Sequence, residues 1–333
     1  MGYNIKEIAS LAGVSKSTVS RVISGSGYAS QAARERVMKV IETLQYKPSA
    51  VARAMVAQRT HNIGVIIFRE QQPVVSHPLY GKIVDAILMA AGAKGYSVFL
   101  TTDHEMSLRS TDFMLEKRVD GLILISRLRQ NVIDYVKSFN IPYLMVNGST
   151  DDPEVVQIVS KDEEGGERAA SYLNQLGHRQ IFVIAGPQEH RSHNLRLKGF
   201  CSSMERLGNS GGLTVVSSPE SSFDMGYRVM LEHWDFFKQG AFTSLFATND
   251  MLALGAMKLL AERSVRVPEQ IAVMGFDDID FASMYSPSLT TVRVEKEKMG
   301  HDAIWMLDRL IRREDSLPKL NEYASELIIR QST

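Results

Sequence analysis

At 333 residues, with 44% apolar and 23% charged residues, the chain is long enough for two or three domains with real cores and has the composition of a soluble globular protein. No run of about eighteen apolar residues occurs, and the opening MGYNIKEIAS has neither the apolar segment of a secretory signal nor the Ser or Thr of a myristoylation motif. A membrane partner and export are therefore not expected, and a cytoplasmic protein is; the single cysteine, Cys201, excludes an internal disulfide and fits a reducing compartment.

The first element is IKEIASLAGVSKSTVSRVI, residues 5–23. Asn4 can cap a first helix by accepting from a free backbone N–H. Ile5, Ile8 and Ala9 then fall at the i, i+3, i+4 spacing of an apolar face. Gly13 can take positive φ at no steric cost and ends that helix. Ser15 caps a second helix, on which Val19, Val22 and Ile23 form a buried stripe. Lys16, Ser17, Ser20 and Arg21 lie on the other side, all hydrogen-bond donors and none negative. Such a face suits the DNA major groove, where Arg and Lys read guanine edges and Ser or Thr hold phosphates.

Ser30 caps a third helix, whose Val37, Ile41 and Leu44 repeat at helical spacing. Three short helices with one apolar centre make a minimal all-α headpiece. Up to Arg59 it carries nine Lys and Arg against three Glu, a net +6 that the remainder balances with −6. A neutral total thus hides a basic N-terminal module on an acidic body, the charge pattern of a DNA-binding head.

After Pro48, SAVARAMVAQRT has a capping Ser49 and helical composition, but is too short to be stable alone. From Asn62 the texture changes. NIGVIIF is a near-continuous apolar run, as in a strand buried on both faces of a parallel sheet. PLYGKIVDAILMAAGAKG reads as a helix, YSVFLTT as a strand, then a helix through Leu115, then the strands DGLILIS and IPYLMVN. The alternation restarts with the helix EEGGERAASYLNQLG and the strands RQIFVIAG, LTVVSS, SLFATND and IAVMGFDD. This predicts two doubly wound α/β halves with right-handed crossovers in one body. Ligands of such sheets sit outside the carboxyl ends of the strands. Asn147, Asp162, Asn249, Asp250, Asp277 and Asp278 stand just past those ends.

Several motifs occur together and in order: the headpiece run through Gly25, Tyr46-Lys47-Pro48, DGLIL, LGHRQI, RLKGF, TNDMLALGAM, VPEQIAVMGFDD, PSLTTV and the closing LIIRQS. In these the chain resembles the LacI/GalR family of bacterial transcriptional regulators over essentially its full length. The resemblance implies a helix-turn-helix headpiece at 1–47, a hinge helix and linker at 48–60, and a periplasmic-binding-protein-like core at 61–333. Within the core the first subdomain is expected over 61–160 and 291–320, the second over 161–290 and 321–333. It also implies a homodimer on a palindromic operator in double-stranded DNA, with a small-molecule effector in the cleft and no cofactor.

On that footing Lys16, Ser17 and Arg21 are expected at base edges, with Asn4, Ser15, Thr18, Ser20, Ser24 and Tyr28 nearer phosphates. Two copies of residues 49–57 are expected in the minor groove, with Ser49 as cap, Val51 and Ala52 allowing close packing and Met55 as the apolar wedge. Pairing helices are expected near 78–93 and 249–262. The resemblance places Arg196 in the effector pocket, where its planar fork can hold vicinal hydroxyls or a carboxylate. Asp277 would accept from hydroxyls, Asn249 offers donor and acceptor, and Tyr80 and Phe223 offer flat apolar faces. Ser126, Asn147, Asp162 and Ser192 are further candidates by position. The chain departs from the family pattern with Met55 in place of Leu, Asn147 in place of Asp, Asp162-Glu163 in place of Asp-Asn, and REQQPVVSHPLYGK at the first pocket loop. These departures bear on the effector, expected to be a sugar, with a nucleobase or sugar phosphate as the alternative.

Two rival classes carry less. For an enzyme, His190 and His193 lack a second metal-ligand pair, and neighbouring Asp277 and Asp278 at a strand end point in opposite directions. There is no P-loop, GxGxxG or GxSxG. Cys201, on an expected helix with no histidine base beside it, reads as a packed thiol. A sugar-binding protein without DNA function would leave the basic headpiece unexplained.

Overall fold

The computed structural model describes residues 3–24, 27–46, 59–67, 76–102, 115–116, 118–126, 130–148, 150, 152–239, 242–314 and 317–333. The headpiece folds as helices α1 (Ile5–Ala12), α2 (Lys16–Ser24) and α3 (Gln31–Thr43). Asn4 and Glu7 form a capping box: the Lys6 N–H donates to Asn4 Oδ1 at 2.9 Å, and the Asn4 N–H donates to Glu7 Oε2 at 2.7 Å. Gly13 ends α1 at φ 61°. Ser15 caps α2 through the Thr18 N–H, and Ser30 caps α3 through the Ala33 N–H. Ile8, Ala9, Ala12, Val19, Val22 and Val37 close the small core, with Ile5, Ile23, Ile41 and Leu44 packed half-buried around it.

The first half of the body is a parallel sheet of β1 (Asn62–Ile67), β2 (Ser97–Thr102), β3 (Gly121–Ile125), β4 (Tyr143–Val146), β5 (Val156–Ser160) and β11 (Leu320–Tyr323), in the order β11-β5-β4-β3-β1-β2. Alternation along β3 sends Ile123 and Ile125 into one apolar cluster and Leu122 and Leu124 into the other. The sheet is thus buried on both faces, the reason its strands read as unbroken apolar runs. Helices α4 (Pro78–Ala93) and α12 (Lys296–Arg312) pack on one face and α5 (Gln130–Ser138) on the other.

The second half starts at α6 (Asp162–Gln175). A sheet of order β7-β6-β8-β9 holds β6 (Ile181–Ala185), β7 (Leu213–Ser217), β8 (Ser244–Ala247) and β9 (Ala272–Met274). One face carries α6 and α7 (Arg191–Arg206), and the other α8 (Phe223–Glu232), α9 (Trp234–Gln239) and α10 (Asp250–Glu262). The short α11 (Asp280–Met284) follows. In each sheet the strand order reverses once, between β1 and β3 and between β6 and β8, so each half is doubly wound.

Two expected boundaries shift. Strand β11 carries the first half on to Tyr323 rather than 320. Strand β10 (Thr291–Arg293), expected with the first half, instead pairs antiparallel with β12 (Glu326–Ile328), while Thr290 bridges to Met274 at the end of β9 and Arg293 to Asp277 beyond it. Strands this short carry too little periodicity to reveal their partners. The helix expected to run through Leu115 lies mostly outside the described residues, as do Ser49, Ala52 and Met55.

The linker enters the body at a fixed point. One carboxylate, Asp120, accepts from the Thr60 N–H at 2.6 Å, the Thr60 hydroxyl at 2.8 Å and the His61 N–H at 2.9 Å.

Candidate functional site

On the headpiece, Lys16, Ser17 and Arg21 are exposed on α2, away from the buried Val19 and Val22. Thr18 and Ser20 flank them half-buried, and Tyr28 stands 85% exposed beyond the helix. Asn4 and Ser15 serve first as caps, with Ser15 Oγ also 2.7 Å from Ser17 Oγ. Ser24 is the last residue of α2. Gly27 turns back at φ 78° beside Arg21, where an added Cβ would meet the arginine's Cγ and Cδ at 3.4 Å. The turn thereby supports the stem of the residue expected to reach a base edge.

In the body, two polar clusters form past the strand ends. The first belongs to the first half. His77 caps α4, its Nδ1 accepting from the Leu79 and Tyr80 N–H groups. The Tyr80 hydroxyl donates to Ser126 Oγ at 3.1 Å and accepts from Asn147 Nδ2 at 3.2 Å. Three expected residues are thus brought together, with Ser126 and Asn147 both at positive φ where β3 and β4 end.

The second cluster is built by close helix packing. An added Cβ on Gly166 of α6 would lie 2.1 Å from the Arg196 carbonyl oxygen, and one on Gly199 of α7 would lie 2.0 Å from that of Glu163. Only glycine lets these helices approach so far, which seats Arg196 against Asp162 at the start of α6. Arg196 is 2% exposed. Its Nε donates to Asp162 Oδ1 at 2.9 Å, its Nη1 donates to the Thr248 carbonyl at 2.9 Å, and its guanidinium carbon lies 3.9 Å from the Phe276 ring centroid. Nη1 also stands 2.8 Å from Asp277 Oδ1 in an ion pair. Burial works against the guanidinium's charge, but Asp277 and Asp162 more than offset it and hold its pKa above the ordinary value. Burial raises the Asp277 carboxyl, with Arg196 and Lys296 opposing the shift. Asp162 Oδ2 and Asp277 Oδ1 are buried, with Arg191 Nη1 3.7 Å from the first and Arg196 Nη1 2.8 Å from the second.

The other candidates sort differently. Asn249 was expected to offer both ends of its amide to a ligand. Its Oδ1 caps α10 through the Leu252 N–H at 2.9 Å, and its Nδ2 donates to the Ser221 carbonyl at 3.0 Å, which uses one bond of the two at each end of the amide. Phe223, half-buried at the start of α8, packs on the second core. Ser192 lies half-buried in the first turn of α7. The sequence did not single out Thr248, whose hydroxyl is 2.8 Å from His193 Nδ1 and accepts from the Gly186 N–H at 2.8 Å. No local signal marked it: His193 precedes Arg196 by three on a helix, which puts those two on one face but says nothing of Thr248. Nor did it mark Lys296, buried at the start of α12. Across the halves, Lys82 of α4 and Asp280 of α11 meet at 2.8 Å.

Asp250 is fully buried, accepting from the Thr291 hydroxyl at 2.6 Å and the Ile279 N–H at 2.9 Å. Burial, reinforced by the charge of Asp277, pushes its carboxyl up to about 8. From about pH 4 to about 8 the folded chain keeps a proton that the unfolded chain releases, so stability falls as pH rises, by at most about 1.4 kcal/mol per pH unit. Asp250→Asn should flatten that part of the curve of melting temperature against pH. A variant curve parallel to the wild type's would show that Asp250 is ionised throughout.

The model of the bacterial regulatory proteins of the lacI family matches residues 4–49, and that of a periplasmic binding protein-like domain matches residues 170–333. The chain is 32% identical over 341 residues to the HTH-type transcriptional repressor PurR of Haemophilus influenzae, covering 98% of each. The chain belongs to the lacI family. It is also 32% identical to the HTH-type transcriptional regulator CelR of Thermobifida fusca, over 98% of this chain and 97% of that one. Among solved structures, the lac repressor dimer bound to operator and the anti-inducer ONPF aligns with a TM-score of 0.85 at 27% identity, covering 100% of this chain and 99% of the other. A CelR–cellobiose complex aligns with a TM-score of 0.74 at 28% identity, over 99% of this chain and 100% of that one. As a lacI-family protein the chain is a DNA-binding regulator of the kind that answers to a small molecule, and not an enzyme.

Proposed function

We propose that this lacI-family protein is a repressor of carbohydrate-metabolism genes, released or engaged by a neutral sugar bound between the two halves of its body. The observation that carries the sugar is the pair of buried carboxylate oxygens, Asp162 Oδ2 and Asp277 Oδ1, which face arginines at 3.7 and 2.8 Å but keep unfilled lone pairs among the described residues. A ring hydroxyl supplies what they lack, whereas a phosphate brings a like charge. Tyr80, Ser126 and Asn147 offer further hydroxyl and amide partners from the first half. The cellobiose held by the similar CelR is a ligand of this kind.

In this reading residues 1–47 are the headpiece, 48–60 the hinge and 61–333 the effector-binding and dimerising body. Lys16, Ser17 and Arg21 read base edges, and Met55 of each hinge enters the minor groove. Selection of bound duplexes from a random pool, then a mobility shift at low salt, tests the DNA function. A melting-temperature screen against sugars, sugar phosphates and nucleobases tests the effector, because a ligand that binds only the folded form raises the melting temperature. Stabilisation by a purine or a sugar phosphate alone would overturn the sugar.

A palindromic operator demands a two-fold dimer. The expected pairing helix α10 gives its apolar residues Leu252–Leu260 to the chain's own second core. Exposed apolar residues elsewhere on the body include Leu88 and Met89 on α4, Phe99 and Leu100 on β2, and Phe281 and Met284 on α11. Met89 is 78% and Met284 74% exposed, and the Lys82–Asp280 ion pair sets α4 beside α11. We assign the pairing surface to this face. Met89→Asp combined with Met284→Asp should yield a folded monomer in sedimentation at micromolar concentration; a persistent dimer would place the interface elsewhere.

A further inference from the structure

Asp277 and Asp278 follow one another at φ 118° and φ 54°. Non-glycine residues hold such backbone only where their surroundings fix it. Here the surroundings come from both halves of the body. The carboxylate of Asp277 faces Arg196, within the effector cluster. The carbonyls of Asp277 and Asp278 accept from Lys296 Nζ at 2.6 and 2.8 Å, and Val294 accepts from the same ammonium at 3.3 Å. Lys296 opens α12, which packs on α4 in the first half.

The carboxylate of Asp278 turns away from the cleft. Arg293 Nε donates to its Oδ2 at 2.7 Å, and Arg330 Nη2 donates to its Oδ1 at 2.5 Å. Arg293 lies in β10, where the chain leaves the second half. Arg330 follows β12, where the chain returns to it. Burial works against the Asp278 charge, but the two arginines more than offset it and hold the carboxyl below the usual range. One strained turn therefore faces the ligand cluster on one side and grips two crossing strands and a first-half helix on the other.

We propose that the Asp277–Asp278 turn, held by Lys296, Arg293 and Arg330, is the joint that fixes the angle between the two halves and passes a ligand contact at Asp277 on to the first half. This rests on the reading of the cleft as the effector site. Asp278 is a positioning residue: its carboxylate is taken up by Arg293 and Arg330, and sets how far a pull on its neighbour moves the crossing strands. A ligand shifts the two orientations only by its difference in affinity for them, and Asp277 is where that difference acts.

The test needs no effector. Spin labels go on Ala93→Cys of α4 and Glu205→Cys of α7, both exposed positions, with Cys201→Ser, in full-length chain diluted with unlabelled protein. Pulsed dipolar spectroscopy then reads the distance between the halves within one protomer. Asp278→Asn should broaden the distance distribution about twofold, as expected when a single orientation gives way to several. Arg293→Gln, at a 40% exposed side chain, should do the same to a smaller extent, and decides the matter should Asp278→Asn fail to fold. Glu326→Gln, which touches only the outer end of Arg293, should leave the wild-type distribution. A lower melting temperature with an unchanged distribution in both joint variants would overturn the proposal and leave Asp278 a plain stabiliser. A wild type that no sugar stabilises would instead count against the effector reading, with the distance comparison still standing.

Discussion

Arg196→Ala is expected to destabilise the folded body by about 3–5 kcal/mol, because it takes from the buried carboxylates of Asp162 and Asp277 the counter-charge they share. The denaturant midpoint of the full-length chain reads this directly. From the sequence alone, the same change should silence the effector while leaving operator affinity near the wild type. Its 2% exposure and its bonds to Asp162 and Thr248 change that expectation. Effector response and stability should fall together, and the loss of folded chain should weaken operator binding at elevated temperature. Arg196→Lys keeps the charge but loses the planar fork and the face against Phe276, so it should lie between the two. An Arg196→Ala unfolding curve superposed on that of the wild type would show that the acids need no partner.

Arg21→Ala should act without any change in folding. Its side chain lies on the exposed face of α2, outside the headpiece core. Loss of a base-edge contact costs about 1–3 kcal/mol of discrimination, so affinity for the selected duplex should drop while affinity for random DNA changes far less. Loss of a phosphate contact lowers both alike and reduces the salt dependence. Binding isotherms on the two duplexes at two salt concentrations separate the cases, and equal losses would move Arg21 from base to backbone.

The headpiece was legible because its signals are local. Caps, a glycine stop and helical spacing of Ile8, Val19 and Val37 depend on neighbours a few residues apart. The buried strands were legible for the same reason: each is a short apolar run whose burial shows in its own composition. What the sequence hid is non-local. Asn249 has a side chain fit for a ligand, and only the position of Ser221 shows that one of its amide N–H groups is tied to the fold. Thr248 and Lys296 became visible only when β8, β9 and α12 were placed. The apolar surface of α10 looked like a surplus awaiting a partner, because nothing local says that α8 and the sheet already cover it. Short strands β10, β11 and β12 gave too little periodicity to reveal which half each joins.

The mooring of Thr60 and His61 on Asp120 gives the molecule a lever arm. Asp120 adjoins Gly121, and an added Cβ on Gly121 would sit 2.9 Å from both Leu307 and Ile311 of α12. That helix is one unbroken rod from Lys296 to Arg312, so about 16 to 22 Å of rigid backbone separates the residue that grips the Asp277–Asp278 turn from Leu307 and Ile311 beside the mooring. If the Asp277–Asp278 turn is the joint proposed above, a small tilt at Lys296 would be magnified along the rod into a displacement of the point where the linker takes off. In a two-fold pair each protomer contributes the same displacement, so the separation of the two take-off points changes by the sum. A linker spliced in before Thr60 would add slack to this gearing without touching either the ligand cleft or the DNA-reading helix.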